Sequence, residues 1–261
     1  MGKHLILVGG GHAHLTCLKR VKDFLERGHE VTLIGPSSHH YYSGMGPGML
    51  AGTYRPQEIR FNIAKMAQAG GASFRQGVVA RVLAKEKRLI LSSGEEINYD
   101  VVSFNTGSGI PLATVQIADD ARVVTVKPIE ELRAAQSFIR ERLQKKSLHI
   151  VVVGGGPAGL EITGNLWRLV SRLQGSATIT LVAGRRLMGD FPEKVRSLAY
   201  ASLTGRGVEV LEGARLKEVQ STLAVLQDGR MLPFDLIFLA LGVRPSPLFR
   251  ESGLPTGPDG G

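Results

Sequence analysis

Two glycine patterns contain the residues whose types and spacing are best suited to chemistry. Leu7-Val8-Gly9-Gly10-Gly11-His12-Ala13-His14-Leu15 lies near the start of the chain, and Val153-Gly154-Gly155-Gly156-Pro157-Ala158-Gly159-Leu160 lies past its midpoint. Glycines so spaced suit a tight turn between a strand and a helix. The first permits the turn, the second lets a diphosphate approach the backbone, and the third lets helix and strand close up. The amides at the start of the helix then face the negative charge. Gly154, Gly156 and Gly159 fill all three positions of the second pattern. The first pattern has Gly9 and Gly11 but places His14 third. That substitution predicts a wider gap or an imidazole turned outward to the phosphates, with simple packing of His12 and His14 as the alternative.

Other chemistry is poorly supplied. Cys17 is the single cysteine, so neither an intrachain disulfide nor a dithiol pair can form, and its place on the first helix reads as packed. His39-His40 beside Tyr41-Tyr42 lacks the spaced carboxylate or cysteine partners that a metal needs. The acid that commonly accepts ribose hydroxyls after the next strand is absent from both units. The first reads Leu33-Ile34-Gly35-Pro36-Ser37-Ser38, leaving Ser37, Ser38 or backbone groups for that role. The second reads Ala183-Gly184-Arg185-Arg186. A nearby arginine is compatible with the 2′-phosphate of NADP, and plain surface charge is the other reading of that pair.

Elements of the right kind flank both patterns. His4–Val8 is a short apolar run fit for a buried parallel strand. Leu15, Leu18, Val21 and Leu25 then recur at helical spacing, Gly28 ends the helix, and Val31–Ile34 supplies the next strand. The second unit repeats this plan, with a β-branched strand from His149, a helical run Leu160–Leu173 and a strand Ala177–Val182. Trp167 falls within the helical apolar pattern and reads as core. Each unit continues into short alternating strands, residues 73–108 and 207–246. Each then reaches an aromatic–Asp pair before an apolar strand, Tyr99-Asp100 and Phe234-Asp235. The strands close on Asn105-Thr106-Gly107-Ser108 and Ala240-Leu241-Gly242.

With 261 residues, 43% hydrophobic and 21% charged, the chain can bury a sizeable core. No run is long enough to span a bilayer. The glycines after Val8 interrupt the opening apolar run too early for a signal peptide. The net charge of +9 is dispersed apart from Arg140–Lys146 and Ala183–Leu187. No nucleic-acid-binding module accompanies it, so solvated faces and anionic cofactors are the expectation.

The duplicated glycine turns, aromatic–Asp strands and closing turns resemble the pyridine nucleotide-disulfide oxidoreductase superfamily. Tyr41-Tyr42-Ser43-Gly44-Met45-Gly46-Pro47-Gly48 resembles its NADH-dehydrogenase-like branch. That branch includes type II NADH dehydrogenases, sulfide:quinone oxidoreductases and the flavoprotein module sometimes fused to selenide, water dikinase. The resemblance implies an α/β fold of two Rossmann-like units with β-β-α layering, the second inserted in the first. Residues 1–110 would begin the FAD-binding domain, 111–239 would form the NAD(P)-binding domain, and 240–261 would return to the first.

By the same resemblance, Gly9, Gly11, His12, Ala13 and His14 would line the FAD diphosphate and the Val79 backbone would meet adenine. Ser43, Gly44, Met45 and Pro47 would approach the flavin, flanked by Thr106, Gly107 and Ser108. Gly154, Gly156, Pro157, Ala158 and Gly159 would carry the NAD(P)H diphosphate, with Arg185 at its adenosine end. Glu161 is the candidate catalytic acid near the nicotinamide, and Gly242 would face it. The implied activity is hydride transfer from NAD(P)H to FAD and on to a small-molecule acceptor such as a quinone, without redox cysteines and without nucleic acid. A cytoplasmic protein, dimeric or peripheral to the inner membrane face, is expected. Family members continue beyond the point matching Gly261 with a Gly-Asp pair that grips the flavin ribityl chain and a further domain, where any membrane contact would lie. A dinucleotide-binding or redox-sensing module without turnover is the alternative.

Overall fold

The structure, a computed structural model, describes residues 2–111 and 115–260. Its contacts divide the chain into two units. The first comprises residues 1–42, 60–109 and 244–261, and the second residues 43–59 and 110–243.

In the first unit, β1 (His4–Val8), β2 (Glu30–Gly35), β3 (Ser73–Gln76) and β7 (Val101–Phe104) form a parallel sheet in the order β3-β2-β1-β7. Alternation along β1 directs side chains to two different layers. Leu7 joins Leu33, Leu18, Val21, Ile63 and Ala67 on the helical side. Ile6 and Val8 face Val79, Val82, Leu89 and Leu91. The latter four come from an antiparallel meander of β4 (Val79–Leu83), β5 (Arg88–Leu91) and β6 (Glu96–Asn98). Sheet, helices and meander therefore make the β-β-α layering expected. The helix after the first glycine turn differs from expectation. It is two pieces, α1 (His12–Lys19) and α2 (Val21–Leu25), because Arg20 leaves helical dihedrals at φ −112° and ψ 15°. There its N–H reaches back to the Cys17 carbonyl, three residues away, and its guanidinium holds Asp23. Leu18 and Val21 still share the buried face.

The second unit repeats the arrangement with one more strand. The strands β8 (Val123–Thr125), β9 (Leu148–Val153), β10 (Ala177–Ala183), β11 (Glu209–Glu212) and β15 (Leu236–Leu239) run parallel in the order β8-β15-β9-β10-β11. Helices α5 (Ile129–Leu143), α6 (Pro157–Arg172) and α7 (Glu193–Thr204) accompany them. A meander of β12 (Leu216–Val219), β13 (Leu223–Leu226) and β14 (Met231–Pro233) supplies Val219, Ala224 and Leu226 to the face holding Val151, Val153, Ile237 and Leu239. Trp167 corrects the sequence reading. It is half-buried on α6, with the Arg206 guanidinium 5.0 Å over its ring, because an indole edge can stay wet where a cation covers it.

The aromatic–Asp pairs now have a structural explanation. In the first unit the Asp100 carboxylate accepts from the His4 N–H at 2.8 Å, while the Asp100 N–H donates to the His4 carbonyl at 2.9 Å. In the second, the Asp235 carboxylate accepts from the His149 N–H at 2.9 Å, and the Asp235 N–H donates to the His149 carbonyl at 2.8 Å. Each aspartate thus locks its closing strand in register with the strand that leads into the glycine turn.

Candidate functional site

The first glycine turn is held from both neighbouring strands. The Gly9 N–H donates to the Ile34 carbonyl at 2.8 Å, and the Asn105 N–H donates to the Val8 carbonyl at 2.8 Å. Gly9 has φ +91°, and a Cβ there would stand 2.4 Å from the Asn105 carbonyl oxygen. A Cβ on Gly11 would stand 1.6 Å from Asn105 Oδ1. Both glycines are therefore required by Asn105, which also accepts from the Gly11 N–H at 3.3 Å. Asn105 was visible in the sequence only as the start of a closing turn. Its role over the glycines depends on a pairing nearly a hundred residues long.

His14 corrects the outward reading. Its ring is 1% exposed, with Nδ1 2.6 Å from the Gly9 carbonyl and Nε2 3.0 Å from Ser103 Oγ. Nδ1–H donates to Gly9 and the Ser103 hydroxyl donates to Nε2, so one neutral tautomer satisfies both contacts. Burial pushes the imidazole below its ordinary pKa, outweighing the Gly9 carbonyl, which raises it. The ring thus sits where a third glycine would allow direct backbone approach, turned inward and away from solvent. His12 and Ala13 are exposed at the start of α1, with no side chain capping the helix. The His12 ring lies edge-on to Tyr42 at 4.7 Å.

The second turn repeats the two strand-end bonds of the first. The Gly154 N–H donates to the Val182 carbonyl at 2.9 Å, and the Ala240 N–H to the Val153 carbonyl at 2.8 Å. Gly154 has φ +138°, and a Cβ there would lie 2.2 Å from the Ala240 oxygen. A Cβ on Gly159 would lie 1.8 Å from the Gly154 oxygen, so this third glycine allows the close approach that His14 replaces in the first unit. Gly156 differs: a Cβ there would meet nothing within 4 Å. Gly156, Pro157 and Ala158 are exposed at the uncapped start of α6. Gly156 and Pro157 open onto a groove of about 450 Å³ lined also by Gly155, Gly184, Arg185, Arg186 and Arg215. An open glycine, exposed amides and a cationic wall fit an anionic dinucleotide. Arg215 went unnoticed in the sequence, where nothing in Gly213-Ala214-Arg215-Leu216 signals it.

The remaining candidates are dispersed. Glu161 is exposed in the second turn of α6, its carbonyl accepting from Asn165 Nδ2. Gly107 and Gly242 have φ +76° and +88° in turns after β7 and β15. Thr106 lies in the first of these, and Ser108 pairs with Pro245 as the chain returns to the first unit. Val79 opens β4, its side chain buried. Ser43, Gly44 and Met45 form a 3-10 turn leading into α3 (Gly46–Leu50), which contains Pro47. Both belong to the second unit, where Gln136 Nε2 donates to the Met49 and Leu50 carbonyls at 2.6 and 3.0 Å. Among the described residues no group of histidine, cysteine, aspartate or glutamate is placed to hold a metal. Nor is any helix long and apolar enough to cross a membrane. Cys17 is half-buried against the helical-side core of the first unit.

Twin strand–glycine turn–helix frames define a protein with two dinucleotide folds. Residues 3–261 match the pyridine nucleotide-disulphide oxidoreductase family, and the chain belongs to it. Members of this family are oxidoreductases that use FAD and NAD(P)H, and the likeness falls within the NADH-dehydrogenase-like branch. The external alternative NAD(P)H-ubiquinone oxidoreductase B2 of Arabidopsis thaliana mitochondria is 23% identical over 95% of the chain and 48% of its own length. The demethylphylloquinone reductase NdbB of Synechocystis is 22% identical over 96% of the chain and 64% of its length. NDH2 from Plasmodium falciparum, solved with NADH, shares the fold at a TM-score of 0.84 and 17% identity, covering 96% of this chain and 57% of that one. The chain thus spans about half to two thirds of these relatives.

Proposed function

We propose that the chain is the dinucleotide-binding part of a flavin-dependent NAD(P)H oxidoreductase, with FAD on the first unit and NAD(P)H on the second. The observation that carries this reading is the duplicated frame. In both units the same strand register and the same strand-end hydrogen bonds present an uncapped helix start behind a positive-φ glycine. Bound there, FAD would supply the hydride-accepting chemistry between reduced nicotinamide and an acceptor, for which we propose a quinone.

The chain's own residues bind and orient. The amides of His12 and Ala13 receive the FAD diphosphate, the Val79 backbone meets adenine, and the Thr106–Ser108 turn flanks the cofactor. Gly156 and the amides of Ala158 and Gly159 receive the NAD(P)H diphosphate. Glu161 is the proposed acid at the nicotinamide end, with Gly242 facing it. Lone, half-buried Cys17 assigns no thiol to the reaction. We place the protein in the cytoplasm or at the inner face of a membrane.

The test is anaerobic titration of the FAD-reconstituted chain, and of the full-length gene product, with NADH and NADPH. Bleaching of the flavin absorbance followed by reoxidation with a soluble quinone is expected. Dinucleotide binding with no bleaching from either donor would instead support a sensing module.

A further inference from the structure

The groove beside the second glycine turn extends to the tip of β10, where the adenosine ribose of a dinucleotide would lie. That tip has no acid to receive ribose hydroxyls. Ala183 ends the strand fully buried, and Gly184 follows without a side chain. Glu212, at the end of the neighbouring β11, is already engaged. Its carboxylate accepts from the Leu187 N–H at 2.8 Å and pairs with Arg196 at 3.4 Å. Glu193 is likewise held by Arg196 and Arg186.

Cations stand there instead. The loop after β11 folds onto the β10 tip through two backbone bonds, Gly213 N–H to the Arg185 carbonyl at 2.6 Å and Ala214 N–H to the Ala183 carbonyl at 3.1 Å. This brings Arg215 against Gly184, its Nε 3.5 Å from the Gly184 carbonyl. A Cβ on Gly184 would lie in ordinary contact with the Arg215 stem at 3.4 Å, so a side chain fits there. Among the described residues neither Arg185 nor Arg215 is in an ion pair, and both line the groove. Asp190 is the one carboxylate among the described residues that line the groove, against three arginines.

From this geometry we infer that Arg185 and Arg215 form a phosphate-monoester subsite selecting NADP(H) over NAD(H). The inference rests on the second unit binding a nicotinamide dinucleotide and adds its specificity. A phosphate monoester is close to a dianion at neutral pH, and guanidinium groups bind it with charge-assisted, often bidentate hydrogen bonds. NAD(H) would leave the same two cations facing neutral hydroxyls.

The experiment measures binding of adenosine 2′,5′-bisphosphate and 5′-AMP to the purified chain by calorimetry, so it needs neither flavin nor turnover. The bisphosphate is expected to bind about tenfold or more tightly than 5′-AMP, with the margin shrinking as salt rises. The double variant Arg185→Ala/Arg215→Ala should cost the bisphosphate far more affinity than 5′-AMP, reducing the margin to about twofold or less, while leaving the melting temperature unchanged. Gly184→Asp, which places a carboxylate beside Arg215 where a side chain fits, should reverse the preference. Equal affinity of the two probes for the unaltered chain would overturn the specificity and leave the proposed function standing. Failure of both probes to bind would overturn the two together.

Discussion

His14 shows how one side chain can replace a fingerprint residue without opening the turn. Its ring is buried, and bonds to Gly9 and Ser103 tie the start of α1 to the ends of β1 and β7. His14→Ala removes both bonds and leaves a void, so unfolding should become easier by about 2 kcal/mol, as urea denaturation would show. The pH dependence has a definite sign. Burial lowers the native imidazole pKa, whereas the unfolded value is near 6.5. Between those values the unfolded chain binds the extra proton, so acidification through that window destabilises the fold. The melting temperature of the natural chain should fall more than that of His14→Gln between about pH 7.5 and pH 5.5. The sequence marked His14 as an oddity, but it could not tell inward from outward. That choice depends on Ser103, brought close only by the pairing of β1 with β7.

At the scale of the elements, the glycines of one turn should respond differently. Gly159→Ala would drive a methyl into the Gly154 carbonyl, so stability and dinucleotide binding should both fall. Gly156→Ala meets open space and should melt as the parent does. Its methyl nevertheless occupies the phosphate's approach, and nucleotide affinity should drop roughly tenfold. Calorimetry with each probe and a melting curve would separate the two effects. If Gly156→Ala binds nucleotide normally, the diphosphate does not sit there. The strand-end aspartates give a second contrast. Burial opposes ionisation of Asp235, but the Lys146 ammonium and the His149 N–H hold its carboxyl below the ordinary aspartate range. Its stabilisation is therefore present above that range and lost as the pH falls through the lowered native value. Asp235→Ala should destabilise by about 1–3 kcal/mol at neutral pH and flatten the acid limb of the stability profile. The aromatic–Asp repeat was legible in the sequence, but its cause, two bonds to the strand across the sheet, was not.

For the whole molecule, the repetition of one frame in two units is what makes a two-dinucleotide enzyme possible on a single chain. The first unit is assembled from three chain segments, so its return strand at Arg244–Pro245 pairs with Ser108–Gly109 from far back in the sequence. The proposed route for electrons needs no thiol. Cys17→Ser should reduce its flavin with NADPH at the parent's rate in stopped-flow measurements. A loss of more than about tenfold with the fold intact would bring cysteine chemistry back into consideration.

The sequence by itself determined both glycine turns and the strands and helix starts that flank them, though not the break at Arg20, because those follow from local periodicity and from the backbone freedom of residues a few positions apart. It also showed the absence of a dithiol pair and of the ribose acids. The tertiary structure alone decided what stands against each turn: Asn105 over Gly9 and Gly11, the inward ring of His14, and Arg215 at the tip of β10. These neighbours are supplied by strands and loops distant in sequence. A side chain's partners depend on which strands pair and in what register, and no local pattern of residue types records that.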